Sequence, residues 1–190
     1  MDLSPMPDRN APLSHRLATE ADLDSIRALM DVAIAELQKG VLTPAQISAS
    51  RGSMGLDTSL IRDRTYFIVE DELTGEMAGC GGWSRRATLY GGDHSAALRD
   101  ERLLDPETEP AKIRAMYTHP NHTRKGVGRL ILSLGEAAAR QEGFTRIEMG
   151  ATMAGVPLYE ACGYHIIEKG MAAPVDGIEV PVWRMGKSLL

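Results

Sequence analysis

The stretch 112–142 constrains the fold of this chain most, because a strand pattern is followed there by a basic glycine turn and a helical pattern. Residues 112–118 alternate in a way that predicts a strand, and Pro120 should end it because proline has no backbone N–H to donate. Apolar residues recur at helical spacing over 127–141, and Gly143 is placed to stop that helix. The sequence therefore predicts a strand, turn and helix unit that the other elements support.

Periodicity also predicts which faces of these two elements are buried. In the strand, Ile113, Ala115 and Tyr117 should share one side, because alternate residues of a strand point the same way. In the helix, the apolar positions are Val127, Leu130, Ile131, Leu134, Ala137 and Ala138. These two patterns predict the surfaces by which the strand and the helix pack into the core.

The glycine turn favours an anionic ligand. A side chain at Gly126 or Gly128 would hold a ligand away from the free amides at the helix start. The helix dipole contributes ~0.3–1 kcal/mol toward an anion, and Arg124, Lys125 and Arg129 add positive charge. A phosphate or pyrophosphate fits best, although a basic helix N-terminus without a ligand has the same sequence. A Walker loop is excluded at this turn because Gly-Lys-Ser/Thr is absent from it, and a dinucleotide loop fits poorly because no third glycine follows at the required spacing.

The chain resembles the GNAT superfamily of acyl-CoA-dependent N-acyltransferases in three motifs that occur in the family's order. They are Met116-Tyr117-Thr118-His119-Pro120, Gly126-Val127-Gly128 and Pro157-Leu158-Tyr159-Glu160-Ala161-Cys162-Gly163-Tyr164. The order of elements agrees over roughly 13–185, and the motifs lie within 112–164. One departure is Thr123, which stands where the family's pyrophosphate loop usually begins with Gln or Arg. Because the family binds pyrophosphate mainly through backbone amides, the departure weakens the motif only in part.

The resemblance implies an α/β fold of the α+β type, with a mixed, mostly antiparallel central sheet and a splayed parallel strand pair flanked by helices. The residues agree, because 146–149 resumes the sheet parallel to 112–118 through a right-handed crossover. Ligands of such sheets bind beyond the carboxyl ends of parallel strands, where Thr118 and 150–152 converge. We expect one N-acetyltransferase domain over 13–190, preceded by a flexible tail at residues 1–12.

By the same resemblance, the protein moves an acetyl group from acetyl-CoA to a primary amine by direct attack, without a metal. The backbone of Met116 and Thr118 would bind the thioester and pantetheine portion, the glycine turn would bind the pyrophosphate, and Tyr159 would be the general acid. The cofactor-binding residues implied in this way are Met116, Tyr117, Thr118, Arg124, Lys125, Gly126, Val127, Gly128 and Arg129. The acceptor is a small-molecule amine, or a peptide N-terminus or lysine.

Two other kinds of function remain open at this point. A non-catalytic acetyl-CoA-binding or regulatory domain would bind the cofactor and transfer nothing. An enzyme of phosphoryl ligands unrelated to acyl transfer would respond to a nucleotide triphosphate and not to CoA. The general base also stays open, because Glu76, Asp93, His94 and His119 are all candidates and a chain of waters could carry the proton instead.

Composition restricts the partners. A chain of 190 residues with 43% hydrophobic content has the size of one globular domain, and its net charge of −5 argues against nucleic acid. That acidity weakly favours a cationic substrate such as an amine. Cys80 and Cys162 indicate free thiols in a reducing cytoplasm. We expect no membrane span, because no apolar run approaches ~20 residues, and we expect a cytoplasmic protein whose dimerisation is left open.

Two further stretches carry predictions. The segment 77–83 is predicted to be a strand in which three glycines indicate a bulge or a close approach of the backbone to a ligand, with a poorly paired edge strand as the alternative. The segment 84–110 is polar and irregular, which is typical of a lid, a binding loop or disorder. Within it, Arg85-Arg86 is either an anion-binding pair or, more in keeping with surface arginines, a solvated one.

Overall fold

Residues 12–190 are described by a computed structural model, so the tail expected at 1–12 lies, except for Pro12, outside the described residues. Seven strands form one sheet: β1 (Leu13–Leu17), β2 (Tyr66–Asp71), β3 (Met77–Ser84), β4 (Ala111–Thr118), β5 (Arg146–Thr152), β6 (His165–Glu168) and β7 (Val182–Ser188). Their order across the sheet is β1-β2-β3-β4-β5-β7-β6, and only β4 and β5 pair in parallel. The mixed, mostly antiparallel sheet predicted from the sequence is confirmed.

Five α-helices flank this sheet: α1 (Leu23–Leu37), α2 (Pro44–Ser50), α3 (Thr58–Arg62), α4 (Val127–Gln141) and α5 (Val156–Ala161). Short 3-10 turns lie at Glu20–Asp22, Ala96–Leu98 and Pro120–His122. Local signals mark the start of α2. The Thr43 hydroxyl accepts a hydrogen bond from the Gln46 N–H, and Pro44 occupies the first helical position. Within the described part of the chain, no helix combines the length and apolar character that crossing a membrane requires.

Helices α1 and α4 cover opposite faces of the sheet. Along β3, β-carbons at Gly79 and Gly81 would meet Val127 and Ile131 of α4, whereas Cys80 between them packs in the cluster formed by α1. These close approaches show why the strand is rich in glycine. The β3 strand lies in the middle of the sheet, so the edge-strand interpretation is wrong, and the expected close approach is made by a helix and not by a ligand.

A bulge in β4 overturns the face predicted for that strand. Ala115 has φ +50°, and the register with β3 shifts between Cys80 and Gly82. An extra residue in a strand reverses the alternation beyond it. As a result Ile113 packs with the α4 side of the core, while Tyr117 packs in the α1 cluster.

The buried face of α4 is also rotated from the apolar stripe that the sequence predicts. Ala137 is exposed, whereas Gly135 is buried under Ile113 and Trp83. A β-carbon at Gly135 would lie 2.9 Å from Ile113 Cδ1, so the packing of the helix on Ile113 requires glycine at this position. Close approach, and not hydrophobicity alone, therefore sets the orientation of α4.

The parallel pair separates as predicted. Ladder partners between β4 and β5 are limited to Ala111 with Ile147 and Lys112 with Glu148. Beyond Lys112, β4 keeps its antiparallel partner β3 but has no ladder partner on the β5 side. This splay leaves a gap in the sheet between the two strand ends.

The segment 84–110 is ordered against the rest of the molecule by ion pairs and backbone bonds. Arg85 pairs with Glu142 and Arg86 with Asp63, so neither arginine is the anion-binding or solvated residue that the sequence suggested. The Leu104 N–H donates to the Arg85 carbonyl, and Leu104 is buried. Between β6 and β7, Asp176 and Gly177 form a tight turn, with φ of +50° and +77° between bridged Val175 and Ile178.

Candidate active site

A cleft of about 760 Å³ lies at the open end of the splay between β4 and β5. The predicted site residues that line it are Met116, Tyr117, Thr118, Arg124, Gly126, Val127, Gly128, Arg129 and Tyr159. Of the residues predicted from the sequence, only Lys125 is not part of this lining. Residues from a strand, a turn and two helices are thus brought together at one cleft.

The start of α4 forms one end of the cleft. Leu130 makes the first intrahelical bond, to the Gly126 carbonyl, so the amides of residues 127–129 have no helical acceptor. Gly126 has φ +86°, and a β-carbon there would meet no heavy atom within 4 Å and would project into open space. Arg124 and Arg129 pair with no carboxylate in the described part of the chain. Free amides, a bare backbone and unpaired cations together fit a diphosphate.

The second glycine has a different role from the one predicted. A β-carbon at Gly128 would lie 2.5 Å from Leu158 Cδ2, so this glycine makes room for α5 and does not directly expose amides. Leu158 itself lines the cleft. Gly128 thus shapes the cleft through a neighbouring side chain.

The wall of the cleft beside α4 is β4. Because β4 has no partner toward β5 beyond Lys112, the backbone groups of Met116 and Thr118 on that side are available to an extended ligand. Tyr117 differs from its two neighbours, because its side chain lies on the α1 side and its hydroxyl accepts from the Gly55 N–H at 2.9 Å. The ring of Tyr117 supports the wall, and the flanking residues offer the backbone.

Tyr159 lies on α5 opposite this wall, with 9% of its surface exposed. Gly155 gives it room, since a β-carbon there would lie 2.5 Å from Cε2 of the ring. Burial raises the pKa of the Tyr159 phenol to about 12, which keeps the hydroxyl protonated at neutral pH. The hydroxyl is therefore a proton donor at the cleft.

Comparison with known families decides the identity of this arrangement. The model of the Acetyltransferase (GNAT) family matches residues 29–164, which is more than half of the chain. The chain belongs to the GNAT acetyltransferase family. The matched range contains both splayed strands, the glycine turn and Tyr159. No curated protein matches the sequence.

Solved structures agree with the GNAT fold. The chain is similar to a GCN5-related N-acetyltransferase from Rhodopseudomonas palustris, with a TM-score of 0.65 and 17% identity over 92% of this chain and 94% of that one. It is similar to yncA from Salmonella typhimurium with its cofactor acetyl-CoA, with a TM-score of 0.61 and 17% identity over 94% of each chain. A third is paia N-acetyltransferase from Thermoplasma acidophilum in complex with coenzyme A, with a TM-score of 0.59 and 12% identity over 93% and 99%.

A smaller cavity of about 70 Å³ adjoins the cleft of this GNAT domain. The two cavities share the residues Met54, Met116, Tyr117, Thr152 and Tyr159. The far wall of the smaller cavity comes from the segment 84–110, through Leu89, Tyr90 and Gly91, and from the floor of the sheet. Gly150 accommodates Tyr90, because a β-carbon there would lie 2.8 Å from its ring. The long polar segment thus becomes a wall of the site.

Arg114, which sequence reasoning did not single out, lies in the smaller cavity and is 2% exposed. Its Nη2 donates to Asp57 Oδ2 at 2.8 Å and to the Gly91 carbonyl at 2.7 Å, and its Nη1 donates to the Thr88 carbonyl at 3.2 Å. Burial lowers the pKa of Arg114, and the charge of Asp57 opposes that effect. The one available signal was a second charged residue, after Lys112, in the middle of the strand.

Asp57 is held as a carboxylate by several groups around Arg114. Burial acts to raise its pKa, but hydrogen bonds from Ser59 and the charges of Arg114 and Arg99 outweigh that effect and leave the pKa below its ordinary value. Arg99 also contacts Asp93 and Glu101. This cluster ties the segment 84–110 to the residues before α3.

None of the four candidate bases lines either cavity, although Glu76 contacts His122, which lines the cleft. Glu76 contacts His122 at 3.2 Å, Asp93 accepts from the Thr58 N–H, His94 contacts the Arg51 carbonyl, and His119 accepts from the Asn121 N–H. No Asp or Glu of the described chain lines either cavity. The same described residues contain no cluster of three or more His, Cys, Asp or Glu arranged for a metal ion.

Proposed function

We propose that this protein transfers the acetyl group of acetyl-CoA to a primary amine by direct attack. The observation that carries the proposal is the gap between β4 and β5, where unpaired strand backbone, the free amides of α4 and a buried phenol meet in one cleft. Family membership supports acetyl transfer in general. The direct route and the amine acceptor are our proposal.

Two parts of the chain would hold the cosubstrate. The amides at the start of α4, with Arg124 and Arg129, bind the diphosphate. The backbone of Met116 and Thr118 binds the amide-bearing arm as an added strand would, because that edge of β4 lacks a partner. When bound there, acetyl-CoA supplies an acetyl group activated as a thioester.

Tyr159 is suited to give a proton to the departing thiolate. Its phenol is protonated over the working range of pH, it lines both cavities, and α5 fixes its position. The smaller cavity, on the other side of Tyr159 from the α4 amides, is where we place the acceptor. No carboxylate lines either cavity, and His122 of the cleft lining is buried against Asp71 and Glu76, so we take water as the route by which the amine proton leaves.

The test is acetyl-CoA binding followed by thiol release. Acetyl-CoA should raise the melting temperature, and at least one member of a broad amine panel should release CoA with formation of the acetylated amine. Binding without transfer to any member would favour the non-catalytic acetyl-CoA-binding domain. A rise in melting temperature with a nucleotide triphosphate and none with CoA would favour the unrelated phosphoryl-ligand enzyme and would refute the proposal.

A further inference from the structure

The charge of the smaller cavity is unusual for a site that receives an amine. Among the described residues that line it, Arg114 is the one charged side chain, and the remainder are apolar, glycine, hydroxyl or aromatic residues. The adjoining cleft adds Arg124 and Arg129 and no carboxylate. An ammonium group would gain no ion pair anywhere in these two spaces, whereas an anionic group would gain one.

Arg114 also has unused hydrogen-bonding capacity. A guanidinium carries five N–H donors. Arg114 uses three of them, in bonds to Asp57, Gly91 and Thr88. No described residue accepts from its Nε. Since Arg114 lines the cavity, the planar guanidinium can still donate to a second carboxylate.

The size and position of the cavity restrict the molecule that brings this carboxylate. About 70 Å³ has room for about five to seven water-sized groups. The cavity opens into the cleft at Tyr159 and Met116, and Arg114 lies two residues before Met116 on β4. A bound molecule can therefore place its carboxylate at Arg114 and its amine at the cleft only if both groups belong to one short skeleton.

We infer that the acceptor is a small free amino acid whose carboxylate binds Arg114 while its amino group faces the cleft. The inference rests on the proposed function and names its substrate class. The overall reaction converts an amino acid and acetyl-CoA into an N-acetyl amino acid and CoA. A C–N bond forms, the thioester C–S bond breaks, and one amine proton is balanced by the proton gained at sulfur.

The first experiment compares matched substrates on the unaltered protein. The standard L-amino acids and their carboxamides are tested with acetyl-CoA by thiol release and by mass of the product. A charge-assisted bond predicts kcat/KM about 10- to 100-fold higher for the carboxylate than for its carboxamide. Small side chains should react faster than aromatic ones.

Three outcomes separate this inference from the proposed function. Equal or faster reaction of the carboxamides overturns the inference and leaves acetyl transfer intact. The same holds if only amines without a carboxylate react. If acetyl-CoA raises the melting temperature but no amino acid, carboxamide or other amine releases thiol, both the inference and the proposed function are wrong.

The second experiment assigns the preference to Arg114. Arg114→Gln should reduce the ratio of carboxylate to carboxamide kcat/KM to near one, mainly through a higher KM for the carboxylate, and Arg114→Lys should retain part of it. The matched control is Arg99→Gln, which removes another arginine from Asp57 but does not line the cavity. Loss of the preference in Arg99→Gln to the same degree would show that Arg114 only positions the segment 84–110, and would overturn the inference. If Arg114→Gln does not fold, the comparison of substrates on the unaltered protein still decides.

Discussion

Leu158 of α5 occupies the space that a β-carbon at Gly128 of α4 would need, with its Cδ2 2.5 Å from that position. The contact joins the helix that would hold the diphosphate to the helix that carries Tyr159. Because Leu158 is a flexible side chain that also lines the cleft, it can move into the cleft without displacing either helix. The relationship couples the width of the cleft to the residue at position 128.

Gly128→Ala should weaken acetyl-CoA binding while leaving the fold intact. Alanine favours a helix by ~1 kcal/mol over glycine, so the added methyl group should displace Leu158 into the cleft and not unfold α4. The increase in melting temperature produced by acetyl-CoA should fall in this variant. The double variant Gly128→Ala/Leu158→Ala should regain that increase, to the level found for Leu158→Ala alone. An unchanged increase in Gly128→Ala, or no recovery in the double variant, would contradict the coupling.

Gly126→Val should abolish most of the stabilisation by acetyl-CoA. At about 100 times the dissociation constant, binding stabilises a protein by ~2.7 kcal/mol, or roughly 5–10 °C for a chain of this size. A side chain at Gly126 projects into open space over the amides of α4 and keeps the diphosphate away from them. We expect little remaining increase in melting temperature with acetyl-CoA.

Gly40→Val is the control for backbone strain. Gly40 has φ +85° against +86° at Gly126, a β-carbon there also meets nothing within 4 Å, and Gly40 lines neither cavity. Both variants should lose similar stability without ligand. Only Gly126→Val should lose the response to acetyl-CoA, and an equal response in the two would place the diphosphate elsewhere.

The residues of the proposed cofactor cleft could be named from the sequence because their signals are local. The glycine turn, the helix that begins at Val127 and the tyrosine-bearing helix each lie within a few residues of sequence, and the structure gathers them at one cleft. Backbone conformation and helix starts depend mostly on neighbouring residues, so pattern is sufficient there.

The residues of the smaller cavity, where we propose that the acceptor binds, could not be named from the sequence for the converse reason. Its cavity combines residues near 53, 90, 114 and 150, whose contacts exist only after the sheet and the segment 84–110 have packed. The bulge at Ala115 also depends on the register with β3, which strand periodicity does not encode. That bulge sends Ile113 and Tyr117 to different faces. The segment 84–110 has no local pattern, because the partners that order it are distant in sequence.

No single substitution among Glu76, Asp93, His94 and His119 should abolish acetyl transfer. Each of these side chains already has a hydrogen-bond partner, and none of the four lines either space, although the partner of Glu76 is His122 of the cleft lining. The amine proton, with an ordinary pKa near 10 for a primary ammonium, therefore leaves through water. The measurement is kcat of four variants, Glu76→Gln, Asp93→Asn, His94→Gln and His119→Gln, with folding checked by melting temperature. A loss of ~10³-fold in any folded variant would identify that residue as the base.

Tyr159→Phe should lower kcat by ~10²–10⁴-fold with acetyl-CoA affinity and melting temperature nearly unchanged. The substitution keeps the ring that packs against Gly155 and removes only the hydroxyl. Because burial raises the pKa of Tyr159 to about 12, its proton is retained as pH rises, and kcat should show no fall from its ionisation between about pH 7 and 10.

Tyr164→Phe is the matched control for Tyr159→Phe. The ring of Tyr164 lies 6.3 Å from that of Tyr159, its hydroxyl donates to Glu136, and it lines neither cavity. That variant should lose about 1.5–3 kcal/mol of stability, because the bond is to a carboxylate, and should keep kcat. If Tyr159→Phe also keeps kcat while chemistry limits the rate, Tyr159 is a packing residue and the thiolate takes its proton from water.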